Sequence, residues 1–226
     1  MTGSVRGDRY TGTLTAKQVA AGMNAASQNA KRLREDAELL LERQRFPSAA
    51  ALAILSIEES GKLHILREIY AAKSAEAKRK AWKRYRDHKS KNNLWLLPQL
   101  VAGGARTLGE LAPLFDPKSD HPAVLDTVKQ IAVYTDCFRK AHWSKPDEVI
   151  DQSLAQMMVV IATFFSNEHV TSEREMELWL RLVGAHWGTP EMLPAAAEFQ
   201  KMLISEGLAE GSIERVEQFF LEGRLT

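Results

Sequence analysis

A helical repeat of apolar residues near the N-terminus is the feature that most limits how this chain can fold. From Val19 to Leu40, apolar side chains recur at alternating steps of four and three residues, and Thr15 with Gln18 has the form of a capping box. The spacing predicts one long amphipathic helix over residues 16–43. Pro47 suits the first turn of a second helix over 46–72, and the short link between the two predicts antiparallel neighbours.

The rest of the chain predicts further helices and no strand. Helical patterns cover 74–89, 122–141 and 150–164, and two more helices start near Ser172 and Thr189 before a final turn around 213–222. We expect an all-α fold, an up-and-down helical bundle with appended C-terminal helices. Three regions are predicted: a flexible tail over 1–14, the bundle over 15–166, and acidic helices over 167–226 that pack on the bundle.

Composition excludes several classes of protein. The chain has 226 residues, of which 45% are hydrophobic, so it is long enough to bury a sizeable core. Its single cysteine, Cys137, cannot form an internal disulfide, and we expect it to be a buried thiol on an apolar helix face. No run of apolar residues suits a signal peptide or a membrane span, so we expect a cytoplasmic protein with no membrane partner.

Charge is unevenly distributed along the chain. The formal net charge is only +1, yet residues 73–91 hold nine Lys or Arg against Glu76 and Asp87, a local net charge of +7. Residues 167–226 hold eleven Glu against five Lys or Arg, a local net charge of −6. A basic middle is therefore set against an acidic C-terminal region, and a basic patch is a common mark of nucleic-acid binding.

Charged residues on the second predicted helix need partners. Glu58 and Lys62 are four residues apart, in the order that favours an ion pair, on a stripe that also carries apolar residues. Because buried charges are costly when unpaired, these two residues and Glu59 require partners from another element. They form either a structural ion pair or a support for the basic groups of 84–91. Gly61 indicates close approach of another backbone or side chain.

The segment 82–93 combines cations, two aromatic side chains and one histidine, His88. Arginine offers forked donors to phosphate, aromatic rings stack on unpaired bases, and histidine exchanges a proton near neutral pH. The segment is therefore either an RNA-binding surface or a solvated basic helix face. The candidate RNA contacts are Lys83, Tyr85, Lys89, Lys91 and Asn92.

These motifs resemble the AbiV family of abortive infection proteins, which protect bacteria against phage and are related to the HEPN superfamily. The resemblance covers roughly residues 16–165. Its most specific part joins Glu58-Glu59-Ser60-Gly61-Lys62 to the downstream segment Arg86-Asp87-His88-Lys89-Ser90-Lys91, and further matches lie at Lys129-Gln130, Tyr134, Trp143 and Pro146.

The resemblance implies a helical bundle that often forms homodimers and, in many members, a ribonuclease that uses no metal. Those enzymes carry an Arg followed after four to six residues by a His. This chain departs from that pattern, because three residues separate Arg84 from His88 and one separates Arg86 from it. The candidate catalytic residues are His88, Arg84 and Arg86, with Glu58 and Lys62 ordering them. No metal or cofactor is expected.

We therefore expect a phage-defence effector that acts on RNA or on the translation machinery through residues 79–92. In a cleavage reaction His88 would move a proton at the 2′-hydroxyl, and Arg84 or Arg86 would stabilise charge on the phosphorane. The alternative is a non-enzymatic interaction protein that a phage protein switches.

Overall fold

The computed structural model describes residues 9–105, 110, 114, 118, 120–166 and 169–222, without the side chains of 138–139 and 219–222. Parts of the predicted tail (1–8) and of the predicted loop region (106–109, 111–113, 115–117 and 119) lie outside the described residues. The described helices are α1 (Ala16–Glu42), α2 (Phe46–Ala71), α3 (Ala75–Arg86), α4 (Leu97–Ala102), α5 (His121–Val133), α6 (Pro146–Val149), α7 (Gln152–Phe165), α8 (Glu173–Leu182), α9 (Met192–Ser205) and α10 (Ile213–Glu222).

Helices α1 and α2 form the antiparallel hairpin that the sequence predicts, and each ends within one residue of its predicted bound. The capping box is present, since the Thr15 side chain accepts from the Gln18 backbone amide and the Gln18 side chain accepts from the Thr15 backbone amide. The buried hydroxyl of Ser56 donates to the Ala30 carbonyl at 2.7 Å. At the other end of the pair, Gly22 faces Leu66.

The two largest parts of the core lie one at each end of this hairpin. The first joins the N-terminal half of α1 and the C-terminal half of α2 to α3, α8 and α9, through buried residues such as Met23, Ile65 and Met176. The second joins the opposite halves of α1 and α2 to α5 and α7, through residues such as Ile54, Leu125 and Met158. Glu58 lies on α2 between the two parts, where α2 also meets α5 and the turn after α3.

The all-α prediction is confirmed, with one local exception. Two short antiparallel strands, β1 (Asp136–Phe138) and β2 (His142–Ser144), pair so that Cys137 lies opposite Trp143. Helix α5 therefore stops at Val133, earlier than the predicted end before His142. Tyr134 already has extended backbone angles, and Lys140 at the turn has φ 62°.

The prediction for Cys137 is wrong, because its residue is exposed rather than buried on a helix face. The helical pattern that suggested burial runs past the real end of α5. β-Branched and aromatic residues around 134–143 favour an extended chain over a helix there. Among the described helices, none is long and apolar enough to cross a membrane.

Candidate functional site

Glu58 is the centre of the candidate site, and it is almost fully buried, with 3% of its side chain exposed. Its two carboxylate oxygens have different partners: Oε2 lies 2.7 Å from Nδ1 of His88, and Oε1 accepts from Nζ of Lys129. Lys129 also lies 2.9 Å from Oδ1 of Asp126. The prediction that Glu58 draws partners from other elements is therefore confirmed.

Lys129 is the residue that the sequence reasoning missed as a site member. It is buried on α5, one turn from Leu125 and close to Ala132, which both lie in the core. Burial alone would lower the pKa of Lys129, but hydrogen bonds from its ammonium to Glu58 and Asp126 raise that pKa above its usual value. A lysine on the apolar face of a helix was the signal that could have revealed it.

His88 bridges the interior and the solvent. Its Nδ1 faces the buried Glu58, while 59% of its side chain is exposed. An ionised carboxylate can only accept, so the Nδ1 atom carries the proton in this contact. In the neutral form of this ring Nε2 is the acceptor, and this is the tautomer that a general base requires.

Gly61 allows the turn that carries His88 to pack directly on α2. A Cβ atom at this position would lie 2.0 Å from the carbonyl oxygen of Lys91, so the close approach predicted for Gly61 is confirmed. A short 3₁₀ helix, Lys89–Lys91, follows His88 at this contact. The Asp87 side chain holds the turn by accepting from the backbone amide and hydroxyl of Ser90, at 2.9 and 2.6 Å.

Two of the predicted RNA contacts lie in the interior. Lys91 is buried, and burial together with the positive charge of Lys62 lowers its pKa. Asn92 is fully buried, and among the described residues neither atom of its side-chain amide has a hydrogen-bond partner. Of the other predicted contacts, Lys83 and Lys89 are exposed and Tyr85 is partly buried.

The two candidate arginines do not share the His88–Glu58 contact. Arg84 donates from Nη1 to Oε2 of Glu68 on α2 at 2.5 Å. Arg86 donates from Nη2 to the carbonyl oxygen of Tyr10 at 2.9 Å, in the chain before α1. Arg84 and Arg86 are two residues apart on α3, so their side chains leave the helix on nearly opposite sides. Only the packing of the helices decides which neighbours they meet.

Lys62 pairs with Glu59 rather than with Glu58. Its Nζ atom lies 2.5 Å from Oε1 of Glu59 and 5.5 Å from the centre of the Tyr85 ring. The predicted pair of Glu58 with Lys62 is therefore wrong, since His88 and Lys129 contact the two oxygens of Glu58. The expectation that Glu59 takes its partner from another element is also wrong, because its carboxylate pairs with Lys62 on the same helix. Lys62 instead links α2 to the aromatic face of α3.

Among the residues that the structure describes, no group of three or more His, Cys, Asp or Glu side chains is placed to hold a metal ion. The arrangement that is present is a buried carboxylate joined to a half-exposed imidazole beside a basic helix. Such a pair can hold and move one proton at the surface.

Comparison with known proteins gives one finding about family. A family model described as AbiV, within the HEPN group, matches residues 18–166, which is more than half of the chain. The match includes Glu58, Gly61, His88 and Lys129. No curated protein and no solved structure has a significant match to the chain.

Proposed function

The chain belongs to the AbiV family of HEPN proteins, and from this premise we propose that it is a phage-defence effector that acts on RNA at His88. The family suggests a role in abortive infection, the defence in which an infected cell stops phage multiplication. That the target is RNA is part of the proposal, and it is supported by the site around Glu58.

The contact between His88 and Glu58 is the observation that carries the proposal. The carboxylate is 3% exposed and lies 2.7 Å from Nδ1, while the imidazole is 59% exposed. A structural ion pair has no need of an exposed ring, whereas a general base must reach its substrate. Glu58 fixes the ring, and Lys129 holds Glu58 in turn.

The reaction that suits this pair is transfer of the RNA phosphate to the neighbouring 2′-oxygen. Nε2 of His88 takes the proton of the 2′-hydroxyl as that oxygen forms a bond to phosphorus, and the 5′-oxygen leaves with its bonding electrons. The leaving oxygen takes a proton from water or from a protonated side chain. The products are a 2′,3′-cyclic phosphate and a 5′-hydroxyl, so atoms and charges balance.

The basic helix α3 supports the choice of an RNA substrate. Its last turn contains Lys83, Arg84 and Arg86, and Lys89 follows beside His88. A cationic surface attracts the phosphate backbone and releases counterions from it, so binding should weaken as salt rises. Lys91, being buried, is not part of this proposed surface.

Two variants test the proposal. We expect His88→Ala to abolish cleavage of a single-stranded RNA. The affinity of the variant for that RNA should stay within about twofold of the wild-type value, because a histidine in its neutral form adds little charge. Glu58→Gln should slow cleavage and keep most of the affinity. His142→Ala, at an exposed histidine on β2, is the matched control and should leave both quantities unchanged. Cleavage by the His88→Ala protein would contradict the proposal.

A second candidate function is that of a non-enzymatic interaction protein that a phage protein switches. The engagement of Arg84 with Glu68 and of Arg86 with Tyr10 supports it, since neither arginine is free to stabilise a phosphorane. Plaque assays separate the two candidates. Cells that carry His88→Ala should lose phage resistance if the protein cleaves RNA and retain it if the protein acts by docking.

A further inference from the structure

A basic groove runs along α3, between this helix and the chain that precedes α1. It has a volume of about 590 Å³ and is lined by Gly12, Lys78, Arg79, Trp82, Lys83 and Arg86 among others. Sites for small molecules span about 300–1,000 Å³, so the groove has room for a nucleotide unit. Helical spacing places these α3 residues on one face.

The groove has an excess of positive charge that its own walls do not neutralise. Of the described residues that line it, four carry a positive charge and none carries a negative charge. Arg79 and Lys83 are exposed, and within the described part of the chain neither has an ion pair or a side-chain hydrogen bond. The nearby acid on α3, Glu76, pairs with Lys80 at 2.8 Å.

The residues Tyr10 to Thr13 are here called the N-terminal segment, which contributes Thr11 and Gly12 to the second wall of the groove. The Gly12 carbonyl accepts from Nε1 of Trp82 at 3.1 Å, and the Tyr10 carbonyl accepts from Arg86 at 2.9 Å. The Tyr10 ring meets the Trp82 ring edge to face, with 6.1 Å between centres. These contacts hold Trp82 and Arg86 in place and leave Arg79 and Lys83 open.

We propose that this groove binds the phosphodiester backbone of a single-stranded nucleic acid, with Arg79 and Lys83 as the phosphate contacts. Unpaired cations in a groove without carboxylates select a polyanion, and Arg offers forked donors to each phosphate. Trp82 also lines the groove, with 7% of its surface exposed. The inference rests on the proposed function in one respect, that the strand is RNA whose next nucleotides reach His88.

The course of α3 connects the two sites. From Lys78 to Arg86 the helix rises about 12 Å, at about 1.5 Å per residue. Arg86 ends α3 two residues before His88, so a strand that follows the groove toward the helix C-terminus arrives at the imidazole. The groove therefore holds the strand, and His88 acts on it.

The test compares two double variants that remove the same charge. Arg79→Gln with Lys83→Gln removes the open cations of the groove. Lys73→Gln with Lys80→Gln is the control, because these exposed lysines lie nearby but do not line the groove. Fluorescence anisotropy measures the affinity of labelled single-stranded RNA and DNA of one sequence, about 12 nucleotides long, over a range of salt concentrations.

We expect the groove variant to weaken binding of both RNA and DNA by about tenfold and to reduce the salt slope by about 1.4, or about 0.7 for each lost phosphate contact. The control should change affinity by about twofold or less. Equal weakening by both double variants, or no weakening by the groove variant, would overturn the proposal. Displacement of the labelled RNA by AMP would also overturn it, if AMP acts at a concentration as low as that at which the RNA itself saturates the protein. The groove would then be a site for a free nucleotide.

Tyr10→Ala tests the role of the N-terminal segment as a wall. We expect weaker binding of both RNA and DNA. Tighter binding would instead show that the segment competes for the groove, and would overturn its assignment as a wall.

The DNA measurement separates this inference from the proposed function, because DNA lacks the 2′-hydroxyl. If the wild-type protein binds DNA through the groove but does not cleave RNA, only the proposed function is refuted. If the groove variant still cleaves RNA and binds it with unchanged affinity, only the proposed role of the groove is refuted.

Discussion

A Cβ atom on Gly61 would lie 2.0 Å from the carbonyl oxygen of Lys91. The contact is between α2 and the backbone of the turn that carries His88, so no side-chain rotation relieves it. Glycine at this position is therefore a condition for the contact between His88 and Glu58. The stability of the fold and the geometry of the candidate site therefore both depend on Gly61.

Gly61→Ala should destabilise the protein by about 1–3 kcal/mol, because overpacking against backbone forces the turn away from α2. Gly22→Ala is the matched control, since it is also inside a long helix but faces Leu66 at an ordinary 3.5 Å. The control should be neutral or stabilising by up to about 1 kcal/mol. Denaturant unfolding of both variants measures the difference, and equal stabilities would contradict the close approach.

Glu58→Ala should reduce the free energy of unfolding by about 1–3 kcal/mol. The buried ammonium of Lys129 loses one partner and keeps Asp126, so the loss is smaller than for a fully orphaned charge. Glu76→Ala, which breaks an exposed pair with Lys80, serves as the comparison and should change stability by less than about 0.5 kcal/mol. A melting temperature unchanged by Glu58→Ala would argue against the buried pair.

His64 should make stability depend on pH. Burial, and then the positive charges of Arg84 and Arg67, lower the pKa of His64 from 6.5 to about 4. The unfolded chain therefore binds more protons between these values, so the stability contributed by neutral His64 is present above pH 6.5 and is lost as pH falls toward 4. The loss is about 1–3 kcal/mol over this range.

Thermal unfolding of wild type and His64→Gln across that pH range measures this dependence. The wild type should lose more stability on acidification than the variant does. His186→Gln, at an exposed histidine, should retain the wild-type slope. Parallel curves for wild type and His64→Gln would show that His64 titrates normally.

Self-association should occur through α7. Met157, Val160 and Phe164 are exposed at helical spacing on this helix, and Phe164 is 55% exposed. Apolar residues grouped on one helix face favour burial against a second copy. Light scattering should give a mass of about twice 25.3 kDa, and Phe164→Lys should shift it toward the monomer.

Val170→Lys is the control for that experiment. Val170 is even more exposed than Phe164 but lies between α7 and α8, outside the helix that carries Met157, Val160 and Phe164. It should leave the mass unchanged. A wild-type protein that remains a monomer would reject the prediction.

The sequence by itself determined the helical architecture and the family. Periodic apolar residues predict α1 and Pro47 marks the start of α2, and both helices agree with the prediction within one residue, because periodicity and capping are local properties. The sequence also predicted that Glu58 needs partners and that another group approaches Gly61 closely. A buried charge or a glycine inside a helix reduces stability unless the fold compensates for it. The same logic failed at Cys137, where a helical pattern continued past the real end of α5 into a strand.

Only the tertiary structure decided which groups meet. His88 and Lys129 lie 30 and 71 residues from Glu58 in the chain, and both reach it because α2 packs against α5 and the turn after α3. Arg84 and Arg86, close to His88 in sequence, turn to Glu68 and Tyr10 instead. Local spacing sets the face of a helix on which a side chain lies, but the neighbour it meets depends on how the helices pack, and that is a property of the whole core.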